Sequence, residues 1–300
     1  MAANAERSFF GLLLAGKFAV DNETAQRWLQ ESNPNGRPNS DVLRPILNGN
    51  DVLKSPSNRW VIDFGTNMTE ADASLYSAPF AHVEKVVKPE RVKNNRASRA
   101  TYWWRLGETR PGMRRALAPL KRYIATVETA KHRVFIWLPV SVAPEHRLIV
   151  IAREDDTTFG ILSSRIHVAW ALAQGGTLED RPVYNSTQCF DTFPFPVGME
   201  PNRSSADFAT NSHALAIAVV ARDLVEKRQN VLKSGKMTLT SLYNERPTWL
   251  NDAHARLDAA VAAAYGWGDW GAGLTDDEIL KRLLAENLSR VTVKKTAKKR

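Results

Sequence analysis

The chain reads as an α+β protein, a mixed or antiparallel sheet with packed helices followed by a small all-α module. Three observations predict this. Short β-patterned runs cluster at 133–138 (RVFIWL), 147–152 (RLIVIA) and 158–162 (TFGIL), separated by polar or proline-containing turns too short for parallel crossovers. Apolar residues then recur at helical spacing over 213–232, over 249–264 and from 276 onward. Between the two textures lies 197–212, rich in Pro, Gly, Asn and Ser, where a boundary is expected. The expected organisation is a domain over 1–198, a helical module over 199–290 and a basic, disordered tail over 291–300.

Each element has its own signal. Residues 8–20 (SFFGLLLAGKFAV) are apolar and glycine-spaced and fit a hairpin or a bent strand. Asn22 to Gln30 predicts a helix with Trp28 and Leu29 inward, broken by Pro34, Gly36 and Pro38. Asn48-Gly49 is a tight-turn signal, and 59–64 (RWVIDF) alternates as a half-buried strand. Thr69 with Asp72 opens a helix reaching about Val87 with a break near Pro79. A basic connector follows over 89–101, carrying Lys93, Arg96 and Arg99, which suit either solvent or phosphate. The aromatic run Tyr102-Trp103-Trp104 fits the core of a strand better than a surface for stacking bases.

Residues 110–127 predict a helix with Pro111 in its first turn, Leu117, Leu120, Ile124 and Val127 on one stripe, and Pro119 as a point of breakage. Its other face would carry Arg114, Arg115, Lys121 and Arg122, enough charge to lie along a sugar-phosphate backbone. After the run at 158–162, a helix over 163–174 capped by Ser163 or Ser164 is stopped by Gly175-Gly176, read as a left-handed turn. A polar segment without period, 177–188, leads to Phe193-Pro194-Phe195-Pro196. Thr275 to Glu278 spells a capping box for the last helix.

Composition narrows the function. A net charge of +9 and a pI near 9.7 favour a polyanionic partner, nucleic acid before an anionic membrane. There is no apolar run of spanning length and no signal-peptide pattern at the start, so the expected location is the cytoplasm, with no membrane partner. Cys189, the single cysteine, reads as a small buried residue beside Phe190. His82, His132, His146, His167, His213 and His254 lack ligand spacing, so no metal is expected. Gly266 to Gly271 spells GxGxxG but follows a helix, which makes it a loop. No nucleophile stands with a base, and Asp155-Asp156 reads as a solvated turn. No catalytic residue is therefore nominated.

A resemblance rests on ordered matches. Phe159 to His167, Trp170-Ala171-Leu172 and Cys189 to Pro196 resemble the target-recognition domain of the large adenine-specific DNA methyltransferases, the restriction and modification enzymes of the MmeI type. Leu43 to Asp51, His132 to Pro139 and Ile149 to Asp156 share the likeness. Leu242-Tyr243-Asn244, Trp249-Leu250, Ala264 to Trp267 and Asp277 to Leu280 resemble the helical C-terminal region of those enzymes. Their catalytic half needs a glycine-rich turn for S-adenosylmethionine and an Asn/Asp-Pro-Pro-Tyr/Phe motif, and this sequence has neither.

The resemblance implies the specificity part of an adenine-specific, S-adenosylmethionine-dependent DNA methyltransferase or restriction-modification system, as a subunit or split C-terminal fragment. Its partners would be double-stranded DNA and a methyltransferase catalytic subunit or N-terminal half, which would hold the S-adenosylmethionine. The loop ahead of the Phe-Pro-Phe-Pro element is where such enzymes place base-reading side chains, which nominates Glu179 and Arg181, then Asn185 and Thr187. The residue types suit that task, because acidic side chains accept from cytosine, Arg donates to guanine, and Asn or Gln pairs with adenine. The same charges could equally pair with one another. Two alternatives are a stand-alone DNA-binding protein with no methylase partner and, third, a metal-dependent nuclease or hydrolase built on Asp155, Asp156 and a histidine.

Overall fold

The computed structural model describes residues 4–271 and 273–297. In chain order the elements are β1 (Ser8–Phe10), β2 (Ala19–Val20), α1 (Asn22–Leu29), β3 (Leu43–Leu47), α2 (Gly49–Leu53), β4 (Arg59–Ile62), α3 (Glu70–Ser74), α4 (Ser77–Val86), α5 (Lys88–Arg91), α6 (Ala97–Thr101) and α7 (Pro111–Leu117). There follow β5 (Arg122–Val127), β6 (Phe135–Pro139), β7 (Ala143–Pro144), β8 (Leu148–Ile151), α8 (Asp156–Ser163), α9 (Arg165–Gln174), β9 (Thr177–Leu178), β10 (Arg181–Pro182), α10 (Ser212–Lys233), α11 (Leu239–Glu245), α12 (Thr248–Ala264) and α13 (Asp276–Ala297).

These divide into two compact units that alternate along the sequence. The smaller comprises Phe10–Pro119 and Pro139–Leu148, and the larger the chain up to Phe9, Leu120–Leu138 and everything from Ile149 on. The cut expected at 198 is therefore not the division between units. A shift in composition marks a loop, whereas a unit is set by which apolar faces meet, and α10 and α12 pack on α8 and α9.

The smaller unit is built on a mixed sheet, the fold class expected, in the order β2-β4-β3-β7. β4 is antiparallel to β2 (Ala19 opposite Val61) and to β3 (Leu43 opposite Ile62), while β3 and β7 run parallel (Ile46 opposite Ala143). Val20, Ile46, Val61 and Ile62 are buried, as are the rings of Phe18, Phe64 and Phe80. Asn48 does not make a tight turn. Its side chain accepts from the N–H groups of Asn50 and Asp51 while the Asp51 carboxylate accepts from Asn48 N at 2.8 Å, a capping box that starts α2. Asn48→Ala is expected to cost about 1 kcal/mol in urea unfolding, with no change in the slope of the transition.

Other expectations in this unit are corrected. The break in the helix after Thr69 falls at Leu75-Tyr76, and Pro79 sits in the first turn of α4, where its missing N–H removes no bond. The connector 89–101 contains α5 and α6, with Arg91 buried. Trp103 and Trp104 are core residues, but they lie in the turn after α6 and not on a strand, with Trp103 5.4 Å from the Phe80 ring. The helix expected over 110–127 ends at Leu117. Pro119 cannot continue it, and RYIATV becomes β5, so Arg114 and Arg115 share no helix face with Lys121 and Arg122.

The larger unit holds a sheet ordered β1-β8-β5-β6. The runs at 133–138 and 147–152 are strands as expected but not neighbours, because β5 lies between them. The third run is no strand. Residues Thr157 to Ser163 are all buried and form α8, whose N-terminus is capped by Asp155 accepting from Thr158 N at 2.7 Å. A segment apolar on every side carries neither period, so the local pattern could not separate strand from helix. Gly160 lets neighbouring helices close in, since a Cβ there would stand 2.6 Å from Ile217 and 3.1 Å from Ala221.

α9 begins at Ser164, whose hydroxyl accepts from His167 N. At α13 the Thr275 hydroxyl accepts from Glu278 N at 3.3 Å, and Ile279 and Leu283 are buried while Leu284 is exposed. The backbone of 291–297, expected as a disordered tail, continues α13, and residues 298–300 lie outside the described residues. Among the described residues no helix is long and apolar enough to cross a membrane.

Candidate functional site

The polar segment after α9 folds into a two-residue hairpin. β9 and β10 pair antiparallel with Leu178 opposite Arg181 and Thr177 opposite Pro182, leaving Glu179 and Asp180 as the turn. Glu179 holds φ at 57°, a conformation that glycine adopts freely and glutamate only at a cost of about 1 kcal/mol. Thr177 to Arg181 are all exposed. The Asp180 and Arg181 side chains are 91% and 62% exposed and stand 3.9 Å apart, a solvated pair too weak to fix either. So the charges of this loop do not consume one another.

Asn185 and Thr187 are tied to each other. Asn185 Oδ1 accepts from the Thr187 backbone N–H at 3.0 Å and from its hydroxyl at 2.7 Å, capping the helical turn Ser186–Phe190. The Asn185 amide NH2 has no hydrogen-bond partner among the described residues, so of this pair it retains the freer donor.

An isolated hairpin of this length is unstable in water, so its base must be held. Tyr184 N donates to Glu128 O at 2.7 Å and Val183 N to Gly176 O at 2.9 Å. Arg133 donates to Thr126 Oγ1 (3.1 Å), to the carbonyls of Val127 and Glu128, and to Pro182 O at 3.2 Å, with its guanidinium 5.0 Å from the Tyr184 ring. Burial lowers the Arg133 guanidinium to about 10. Below it the Tyr184 hydroxyl is hydrogen-bonded to His167 Nε2 at 2.9 Å, and the His167 ring meets Phe193 edge-on at 4.4 Å. Burial, with a smaller push from Arg133, lowers His167 to about 3, and burial drives the Tyr184 phenol well up, so both stay neutral. Cys189 is fully buried here and its thiol is pushed up by burial. Sequence reasoning missed Arg133, Tyr184 and His167 as supports. Arg133 reads as the edge of a strand and His167 as one of six scattered histidines, so no local signal could have found them.

The cationic candidates fare unequally. Lys93, Arg96, Arg115 and Lys121 are exposed, and Arg99 is half-buried on the rim of a cleft. Arg114 instead donates from a single Nη to both oxygens of the buried Asp63 carboxylate, each at 2.8 Å. Arg122 binds Asp156 at 2.9 Å and lies 3.8 Å over the Trp137 ring. The Arg114 charge is neutralised inside the fold, while Arg122 shares the Asp156 carboxylate with Arg222. Asp155-Asp156 is likewise not a solvated turn, since Asp155 caps α8 and binds buried Arg153 at 2.7 Å. No group of three or more His, Cys, Asp or Glu is placed to hold a metal ion among the described residues.

Comparisons with known proteins bear on this arrangement. The chain is 26% identical over 191 residues to DNA methyltransferase A of Bacillus subtilis (strain 168), a match covering 58% of this chain and 20% of that protein. Its fold is similar to that of the Type IIL restriction-modification enzyme MmeI solved in complex with DNA, at a TM-score of 0.73 and 20% identity over 95% of this chain. That match covers 35% of the MmeI chain, so this chain spans between a fifth and about a third of these relatives. The model of the MmeI target recognition domain matches residues 13–197, which includes both strands of the hairpin and the residues that anchor it. As that match takes in more than half of the sequence, the chain belongs to the MmeI target recognition domain family.

Proposed function

We propose that the chain is the sequence-reading part of an adenine-specific, S-adenosylmethionine-dependent DNA methyltransferase or restriction-modification system. In this reading double-stranded DNA is its substrate, and a catalytic subunit or N-terminal half supplies cofactor binding and methyl transfer in the cytoplasm. The observation that carries it is the hairpin itself. Glu179 in the two-residue turn and Arg181 beside it on β10 are exposed to solvent, on a hairpin whose base is locked by Arg133 and Tyr184, within the span matched by the family model. A rigid support with uncommitted acidic and guanidinium groups is what reading base edges requires. Glu179 would accept from cytosine and Arg181 would donate to guanine, with Asn185 through its free amide and Thr187 as secondary contacts. Lys93, Arg96, Arg99, Arg115 and Lys121 would serve phosphates. Arg114 and Arg122 act within the fold instead.

Arg181→Ala is expected to relax preference at one base pair, a loss of about 1 to 3 kcal/mol for the correct site. The check is to supply a methylase half, sequence the methylated sites and compare wild type with variant. An unchanged site preference would remove Arg181 from the reading role. No DNA preference in the wild-type chain would remove the function itself.

A further inference from the structure

The smaller unit contains an open cleft of about 420 Å³ between α6 and the start of α7 that the base-reading hairpin does not use. Four guanidinium groups line it, Arg91, Arg99, Arg105 and Arg110, against one carboxylate, Glu108. Glu108 is committed to Arg110 at 2.6 Å. Arg105 donates to Met68 O at 2.8 Å and lies 4.6 Å over the half-exposed Tyr102 ring. The Arg99 side chain has no hydrogen-bond or ion-pair partner among the described residues.

Arg91 is the telling residue. It is 2% exposed at the back of the cleft, and one Nη donates to Leu14 O and Arg105 O, both at 3.0 Å. Its Nε is buried with no hydrogen-bond partner, and no carboxylate pairs with it among the described residues. Burial and the neighbouring Arg99 charge lower it to about 10. Its guanidinium lies 5.3 Å over the Phe18 ring, and the one carboxylate of the lining is taken by Arg110, so a buried cation with an unpartnered Nε beside further cations favours an anion arriving from outside. Arg110 adds a strained backbone, with φ at 53° immediately before Pro111.

We infer that this cleft binds a phosphate group, and that the phosphate belongs to a polynucleotide backbone seated on Arg99 with Tyr102 beside it. The field of Arg91 and Arg105 would hold the anion from behind, and Glu108 would keep Arg110 oriented. A free phosphate would satisfy the same charges. The polynucleotide is favoured because Lys93 and Arg96, exposed on the segment joining α5 to α6, add two cations outside the lining, as a row of phosphates requires. This assignment rests on the DNA-reading function proposed above.

Fluorescence anisotropy of labelled duplexes titrated with the full chain at several salt concentrations tests it. Arg99→Ala should weaken binding roughly tenfold on every sequence and lower the salt slope by about 1, and Arg99→Glu should weaken it further, while Arg99→Lys retains most of the affinity. Circular dichroism and thermal melting on the same samples confirm that the variants fold. Duplex binding unaffected by Arg99→Ala would overturn the cleft and leave the function standing. If the wild type binds no duplex, both fail. If it then binds inorganic phosphate or a mononucleotide, and Arg99→Ala abolishes that, the cleft takes a small phosphate ligand and the polynucleotide assignment is overturned.

Discussion

Gly175→Ala is expected to destabilise the larger unit by about 3 kcal/mol or more and, on the proposed reading of the hairpin, to erase sequence discrimination, whereas Gly176→Ala, one residue on, is expected to do neither. Gly175 ends α9, but not in the left-handed conformation that a glycine pair suggests. Its φ of −75° and ψ of 154° are open to any residue. What excludes a side chain is space. A Cβ there would stand 2.1 Å from Val183 O, 2.8 Å from Ala171 O and 3.2 Å from Cys189 Sγ, while at Gly176 nothing lies within 4 Å. The first two atoms are backbone and cannot swing aside, so Val183 would have to move and take with it the bond between Val183 N and Gly176 O that closes the hairpin base. Urea unfolding of the two variants, with site preference in a reconstituted methylase, makes the comparison. Equal stability of the two would show that Val183 yields and that the close approach does not anchor the hairpin.

Lowering the pH from 7 to 5 is expected to cost the fold about 2 kcal/mol, with His167 as the chief cause. Burial holds its folded value at about 3, below the usual 6.5 of a free histidine, so between these values the unfolded chain binds the proton and the folded chain does not. Stability from such a group is complete above pH 6.5 and drains as pH falls toward 3. By pH 5 that amounts to roughly 2 kcal/mol. His254, lowered to about 4 by burial and then by Arg228 and Arg246, acts in the same direction but is only half-buried, so its share is smaller. Asp258 opposes them. Burial, against the attraction of Arg165, raises it to about 6, so protonation below that value relieves a penalty and returns roughly 1 kcal/mol by pH 5. Urea unfolding at pH 7 and pH 5 measures the sum, and His167→Gln should flatten the difference. Stability that rises on acidification would mean that His167 is charged in the folded state.

The location of the hairpin was legible without coordinates because Thr177 to Gln188 is polar and without period between a glycine stop and the Phe-Pro-Phe-Pro element. The Tyr102 to Trp104 run was legible as core for the two tryptophans but not for Tyr102, which is half-exposed. Position alone could not rank the arginines. Arg114, Arg99 and Arg91 look alike in the sequence, yet one neutralises Asp63, one is free and one is buried without a counter-ion. Such differences depend on partners 51 residues away, as for Arg114 and Asp63.

By itself the sequence determined the class of the fold, the helical character of 212–264, the strands around 59–62, 135–139 and 148–151, and the family, because each rests on local periodicity or on ordered residue identities that need no knowledge of distant neighbours. Tertiary structure alone decided that 156–163 is a helix, that β5 lies between β6 and β8, that the chain alternates between two units, and which cations remain free. A segment buried on every side has no polar face to betray its period, and a charge is spent or available only according to what long-range packing brings beside it.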